Sequence, residues 1–565
     1  MVFTENLPEK ILSWRLKGPG LENFGSGKRP ELLPFPPYGE ENLVARVDAC
    51  GLCFSDIKLI TSGASHPRIA GRDLSADPVI PGHEVSLTLV GVGDAWKDRI
   101  APGSRYILQA DVFYRGKGMA FGYVLPGGLS QYVVIGREVI EGDDGCYLLP
   151  VRTETGHVEA ALVEPWTCVI ASSQISARTE PAKDAVLYFF GSGNGQIPLD
   201  LAGIEAGKIS RVFFQGLSPE NEEAVIRFGR DAGRGAESGP PPSDGPRPTD
   251  IVCAGVPRRE DFAALVAALE TGGMLGIHAA AVQGSLPVDV GKVHYQRIEL
   301  VGSEDGGVLA SYRHNTRERL APGGSTLFAG GAGPMGQMHV IKAVLDPDGP
   351  ARILVTDHLD ERLRSLEQLV SLLVKRRGRA VSLSFVNSKD LDGDELESRL
   401  ARDFPGGFDD IVVLVPLAAA ISEVSSYLAP RGVLNVFAGV KPGTVADLPL
   451  EAIVKKRARI MGSSGSPLSA MRSTLAMLES GRLSTALSLA AVGDMASASR
   501  GMKALIDGTY TGKIVIFPFA HGLGIRSMRE LAKELPEIAP LLLDGQYWTN
   551  EAEAAFMKSR FFAPA

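Results

Sequence analysis

Three shortages in the sequence each close off a class of function. The five cysteines, at 50, 53, 146, 168 and 253, are few and odd in number for a chain of 565 residues. That usage fits a reducing compartment rather than a disulfide framework. Basic residues are outnumbered, 58 Lys and Arg against 66 Asp and Glu, and the formal charge of -8 argues against a nucleic-acid surface. The one dense basic run, Lys375-Arg376-Arg377-Gly378-Arg379, reads as a helix end that complements its own dipole. No apolar run reaches the roughly 18 residues of a membrane span. The acidic N-terminus also lacks the basic-then-apolar order of a secretion signal. The expectation is a cytoplasmic protein with neither nucleic-acid nor membrane partners.

What the sequence does hold is core material for several domains: 44% of its residues are apolar, and its length suggests about three or four domains. Up to about residue 175, short apolar runs broken by Gly and Pro predict strands, among them 42–48, 85–90 and 131–135. From Asp184 onward strands alternate with helical segments, the pattern of a parallel α/β sheet. The alternation runs twice. One pass spans Ala185-Val-Leu-Tyr-Phe-Phe190 to Glu299-Leu-Val-Gly302-Ser303, the other Ser325-Thr-Leu-Phe-Ala329 to Arg459-Ile-Met-Gly462-Ser463. From Asp250 and Asp410 to Gly302 and Gly462 the two passes keep an offset close to 160, which predicts an internal duplication. The run Gly239-Pro-Pro-Pro-Ser-Asp-Gly-Pro-Arg-Pro248 falls where the first pass needs its third strand, and reads instead as a surface loop.

Each pass opens on a glycine turn. In the second, Gly331-Ala-Gly333-Pro334-Met335-Gly336 lies between a predicted strand and a helix predicted over 335–345. The first glycine serves the tight turn, the second lets backbone approach a pyrophosphate, and the third packs helix on strand. Free N–H groups at the helix start then face the phosphates. The next strand ends in Asp357, 21 residues after Gly336. A carboxylate there accepts from the ribose hydroxyls and repels a 2′-phosphate, which favours NAD over NADP. His358 and Arg362 complete the expected cofactor contacts, Arg362 pulling towards NADP. The first pass, Gly191-Ser-Gly193-Asn-Gly195-Gln196, has Gln196 at its third position, and its second strand ends in Gln215-Gly216 without a carboxylate. A scaffold or dimer-forming role suits it better than a second nucleotide site.

The N-terminal part carries Gly51-Leu52-Cys53-Phe54-Ser55-Asp56, Pro81-Gly82-His83-Glu84 and Val163-Glu164-Pro165. Taken singly, Cys50 and Cys53 are two buried thiols or a redox pair, and the acids are turn or surface residues. Together, a Cys, a His and one or two Glu supply the three N/S/O ligands of a catalytic zinc. With no second CxxC, a four-cysteine zinc ribbon is excluded.

In this order ahead of a dinucleotide unit, these segments resemble the zinc-dependent medium-chain alcohol dehydrogenase family, over residues ~30–175 and ~325–518. The similarity includes the ending Gly512-Lys513-Ile-Val-Ile-Phe517. Glu164-Pro165 is similar to the polyol and sugar dehydrogenase branch, and Gly63-Ala-Ser-His66-Pro-Arg68 to its sorbose-1-phosphate reductases. The resemblance, taken with the two passes, gives an α/β architecture: a β-rich GroES-like zinc domain at 1–180, a degenerate Rossmann-like unit at 181–320 that comes from the duplication, a second Rossmann NAD unit at 321–470, and a segment at 471–565 returning to the first domain. It implies Cys53 and His83 as zinc ligands and Glu164 as a ligand or a holder of zinc-bound water. Glu84 would be an exchangeable ligand or neighbour, Ser55 a proton relay and Asp56 a residue orienting a ligand.

The implied activity is hydride transfer between NAD(H) and a secondary alcohol or ketone of a polyol, sugar or sugar phosphate, by a homo-oligomer. The alternatives are a zinc-assisted lyase or epimerase that retains NAD, and a nucleotide sensor or scaffold. Two departures stand out: Arg105 to Gln131 holds no Cys where many relatives carry a four-cysteine lobe, and the unit at about 184–305 is extra. His66, Arg68 and Arg72 either grip a substrate phosphate or lie on a solvated loop. His339 reads as a packed or surface residue and Cys146, Cys168 and Cys253 as small apolar ones. The aromatic tail beyond Phe519 reads as packed on the body or on a partner subunit, with a substrate lid as the alternative.

Overall fold

The computed structural model describes residues 1–173, 178–192, 195–389 and 393–562. It divides into two compact units, Met1–Ile170 with Gly465–Ala565, and Ala171–Ser464. Among the described residues no helix is long and apolar enough to cross a membrane.

The discontinuous unit is built on a nine-stranded sheet. Its two long strands, Leu43–Leu52 and Glu84–Val92, pair antiparallel. Both are buried along most of their length, so they read as apolar runs rather than as an in–out alternation. The late strand Lys513–Phe517 pairs antiparallel with Leu43–Leu52, Val515 opposite Gly51. Trp14 and Phe24 stack at 4.6 Å in the core. The aromatic tail closes the same unit: Trp548, Phe556 and Phe561 are buried, and Phe556 meets Phe517 at 5.1 Å. Glu553 accepts from the Val158 N–H at 2.9 Å and from Trp548 Nε1 at 3.2 Å, so the tail caps the start of helix His157–Ala161.

The continuous unit holds one twelve-stranded sheet, whose strands are numbered here in chain order: β1 Ala185–Gly191, β2 Ile209–Gln215, β3 Glu237–Ser238, β4 Asp250–Ala254, β5 Met274–His278, β6 Glu299–Ser303, β7 Ser325–Ala329, β8 Arg352–Asp357, β9 Ser382–Asn387, β10 Phe408–Val413, β11 Leu428–Val436 and β12 Arg459–Gly462. Their spatial order is β3-β2-β1-β4-β5-β6-β12-β11-β10-β7-β8-β9. Counted within itself, each half runs 3-2-1-4-5-6, the order of a doubly wound dinucleotide-binding sheet. All neighbours are parallel except β6 and β12, which meet antiparallel at Leu300 and Ile460. A two-stranded ribbon, Ser285–Asp289 with Val445–Pro449, joins the halves a second time. One hydrophobic core runs through both.

The halves differ where their sequences do. After β7 comes helix Pro334–Leu345, and between β9 and β10 helix Gly393–Asp403. Among the described residues, the first half has only a 3-10 turn, Ala206–Lys208, between β1 and β2. Its third strand is present but two residues long and precedes the proline run, which forms the crossover to β4. Prolines lack the donor a strand or helix interior requires, so the run replaces the crossover helix rather than the strand.

Candidate active site

The site in the discontinuous unit is organised by one carboxylate. Cys53 caps helix Phe54–Ser62, and its N–H donates to Asp56 Oδ2 at 3.0 Å. The other oxygen, Asp56 Oδ1, accepts from the Gly82 N–H at 3.1 Å and lies 3.2 Å from His83 Nδ1. Gly82 adopts φ +95°, a left-handed turn open to glycine, and a Cβ there would lie 2.8 Å from Cys50 Sγ. Asp56 therefore fixes the His83 ring through Nδ1 and leaves Nε2 directed away, a common arrangement behind a metal-binding histidine.

Cys53, His83 and Glu84 each place one ligand atom within 4.8 Å of the others, and the sulfur, nitrogen and oxygen donors suit zinc. Burial depresses the His83 pKa, but the Asp56 carboxylate, with Tyr123 and Cys53, more than reverses this and holds it well above the usual value. A proton thus competes with a metal for this ring. Among the described residues Glu84 Oε2, which is buried, has no hydrogen-bond partner. Its Oε1 accepts from Lys513 Nζ, which also donates to the Leu52 carbonyl at 2.8 Å. The ammonium gains charge stability from Glu84 in spite of its burial.

Glu164, in the first turn of helix Val163–Ser173, is outside that trio but feels its charges. Burial, helped by Glu84 and Asp111, pushes its carboxyl up to about 7 against the opposing His83 and Lys513. Ser55 is half-buried in the first turn of Phe54–Ser62.

Beside His83 stands an aromatic wall that sequence reasoning missed. The Tyr123 ring lies 5.8 Å from His83 and 5.3 Å from His66, with the Arg68 guanidinium 4.9 Å from its centroid. Arg68 also pairs with Asp111 at 2.7 Å. Arg72 does not join this group. Its guanidinium donates to the carbonyls of Tyr123, Val124, Asp77 and Pro78 and to the Asp77 carboxylate, which makes it a brace for the loop. Tyr123 and Asp111 lie in the segment noted only for its missing cysteines, and Lys513 sits far along the chain. Lys513 stood in the sequence only as part of the family-like ending Gly512 to Phe517, a charge opening a wholly apolar strand.

In the other unit, Gly331 to Gly336 links β7 to helix Pro334–Leu345, with Gly333 as its cap. The left-handed residue is Gly330 (φ +75°), one place before the glycine expected to make the turn. A Cβ at Gly336 would lie 2.5 Å from the Gly331 carbonyl, so helix and turn touch backbone to backbone. At Gly333 a Cβ would meet nothing nearer than 3.9 Å, which leaves the helix N-terminus open to a ligand. Pro334 and Met335 begin the helix.

Asp357 ends β8 beside the loop. Its Oδ2 accepts from Ala332 N–H at 3.2 Å, and its Oδ1 from the N–H groups of His358 and Leu359. His358 is exposed, and the buried Arg362 Nε has no partner among the described residues. In the first half, the Gln196 amide donates to the carbonyls of Ser192 and Gly216 and accepts from Ser218 N–H. That side chain bridges the places where a nucleotide would approach. Gly193 lies outside the described residues. His339 is buried against Phe437 at 4.5 Å, and Cys253 is buried in the core.

The unit that holds the Cys–His–Glu cluster is similar to a known domain. Residues 39–141 match the alcohol dehydrogenase GroES-like domain. The chain is 25% identical over 541 residues to the L-sorbose 1-phosphate reductase of Klebsiella pneumoniae, covering 93% of each. It is 25% identical over 531 residues to the mannitol-1-phosphate 5-dehydrogenase of Aliivibrio fischeri, again covering 93% of each. An alcohol dehydrogenase structure from Thermotoga maritima shares the fold at a TM-score of 0.52 and 13% identity, over 90% of this chain and 99% of that one. By these matches the chain is similar to alcohol dehydrogenases and to the sugar- and polyol-phosphate relatives just named.

Lys513→Met would strand the buried Glu84 carboxylate, and loss of one partner of a buried pair costs about 3–5 kcal/mol. Urea unfolding of the metal-free protein measures this. The added change Glu84→Gln should recover much of the loss, and a single variant as stable as the parent would show that the pair carries no weight.

Proposed function

We propose that this protein transfers hydride between NAD(H) and a secondary alcohol or ketone of a polyol, sugar or sugar phosphate. The observation that carries the reading is the Cys53–His83–Glu84 cluster held by Asp56. Cys53 and His83 would hold zinc, with Glu164 and Glu84 as the carboxylates beside it. Zinc, when bound, supplies a Lewis acid to the substrate oxygen. The nicotinamide supplies the hydride acceptor or donor.

The chain's own residues do the rest. Asp56 fixes the His83 tautomer, so that Nε2 is the free nitrogen. Lys513 balances the Glu84 charge, which limits the negative potential built up around Cys53 and Glu164. Ser55 moves the substrate proton towards solvent. At the glycine loop, Gly331, Gly333, Pro334, Met335 and Gly336 cradle the pyrophosphate, and Asp357 takes the adenosine ribose hydroxyls. With His358 beside it, Asp357 favours NAD over NADP, against the pull of Arg362.

The relatives named for phosphorylated substrates point to a phosphate subsite. Arg68 suits it, since its guanidinium lies on Tyr123 near the cluster and is shared with one carboxylate, Asp111. His66 would join it. Neither the lyase or epimerase reading nor the sensor reading draws support from the relatives.

Cys53→Ala and His83→Ala should abolish turnover and empty the zinc site, and Asp56→Asn should weaken zinc binding about 10–100-fold. Metal analysis after dialysis and steady-state assays check both, and full activity in Cys53→Ala would sink the assignment. Asp357→Ala should weaken NAD binding far more than Gln215→Ala in calorimetric titrations; equal effects would mean that the wrong half was chosen. Arg68→Gln should raise KM for a phosphorylated polyol at least tenfold and leave that for its unphosphorylated counterpart within about twofold, since only the charge-assisted contact is lost. Parallel changes for both substrates would remove Arg68 from the subsite.

A further inference from the structure

The two halves of the large sheet meet by a rule that the sheet order alone does not require. The lone antiparallel pair between β6 and β12 joins Leu300 to Ile460, and the ribbon is centred on Pro287 opposite Asp447. Both pairs join positions 160 apart, the spacing that also separates Glu299 from Arg459. About that centre the ribbon is symmetric, with Ser285 facing Pro449 and Asp289 facing Val445. Contacts beyond the strands are reciprocal. A Cβ on Gly302 would lie 3.2 Å from the Ile453 carbonyl, and one on Gly462 would lie 2.7 Å from the Val293 carbonyl. Val293 and Ile453 are themselves counterparts at the same spacing. When residue i meets j and the equivalent of j meets the equivalent of i, the surface is isologous, the kind that joins two copies of one unit around a two-fold axis.

Next to the axis the copies have diverged in one telling respect. Position 299 is Glu and its counterpart 459 is Arg, and the two side chains pair with each other. Arg459 is fully buried, and it donates further to the carbonyls of His314, at 3.0 Å, and Tyr312. If two first halves met across this surface, Glu299 would face Glu299. If two second halves met, Arg459 would face Arg459. Either pairing buries like charges without compensation, which is how an interface rejects a wrong partner.

We infer that residues 178–320 are a built-in dimer partner for residues 321–464. This half-sheet fills the two-fold surface of the nucleotide half from within the same chain, and the Glu299–Arg459 charge pair excludes a second copy there. Its contribution is to cover the β12 edge, and one chain then carries one working glycine loop. The inference rests on the 160-residue symmetry and not on the chemistry at Cys53, and assembly through other surfaces is untouched by it.

Paired cysteines test it in the full-length protein. Residues facing each other on antiparallel strands have Cα atoms within disulfide range. Under mild oxidant, Pro287→Cys/Asp447→Cys should form a bond within one chain, seen as a faster-migrating band of single-chain mass on a non-reducing gel. Asp447→Cys alone should form no more cross-linked dimer than the parent, whose five native thiols are the control. A dimer band from Asp447→Cys would mean that second halves pair with each other, and a dimer band from the double variant would mean exchange between chains. Either result overturns the inference. In a second arm, Glu299→Arg and Arg459→Glu should each lower the melting temperature by several degrees, and the double swap should recover at least half of the summed loss. Fully additive losses would overturn the charge pairing. No arm reads enzyme activity, so failure here and failure of the dehydrogenase reading are told apart.

Discussion

The buried pair between Lys513 and Glu84 is the constraint on which the candidate site depends. Two charges withdrawn from water are tolerated only when each finds its counterpart, and here the partners lie 429 positions apart in the sequence. The ammonium also takes the Leu52 carbonyl, so one side chain fixes the strand that leads to Cys53 and the strand that begins at Glu84. The last third of the unit's sheet therefore completes the surroundings of the first. The chain leaves for the whole of the other unit and returns, and the zinc-type cluster is electrostatically finished only after that return.

Within the cluster, local spacing carries most of the information. A cysteine that caps a helix, followed three residues on by an aspartate, gives Asp56 a fixed place in the first helical turn. The Pro81-Gly82 turn then delivers His83 to that carboxylate. The sequence offered these relations through the family resemblance, and helix and turn geometry account for them. Tyr123 and Asp111 come from a loop with no periodicity, and their roles follow from packing alone. Arg72 shows the opposite hazard: an arginine near a phosphate-like motif looked available, yet its guanidinium is consumed by backbone carbonyls.

The larger unit divides in the same way. Most of the second half could be read from its buried parallel strands, which are continuous apolar runs, and Asp357 stands at a set distance from the glycine loop; the half-exposed edge strand Ser382–Asn387 has no such run and was missed. In the first half, the proline run was rightly denied a strand but was placed one element too early, because a third strand of two residues leaves almost no pattern. The joining of both halves into one sheet was not legible at all. It turns on a single antiparallel residue pair and a short ribbon, neither of which has a signature of its own. The constant offset was in the sequence, but an offset records ancestry and is silent on contact.

The ribbon of Ser285–Asp289 with Val445–Pro449 carries a consequence for how the molecule behaves on dilution. Two separate subunits meeting over such a surface separate as concentration falls, and their stability is tied to how much protein is present. Here the meeting surfaces share one polypeptide, and a tether of this kind sets a local concentration of about millimolar whatever the bulk value. The second half thus keeps its neighbour at a single molecule per cell as securely as at high expression. Any change in the abundance of the protein alters how many copies exist without altering how this one surface is covered in each.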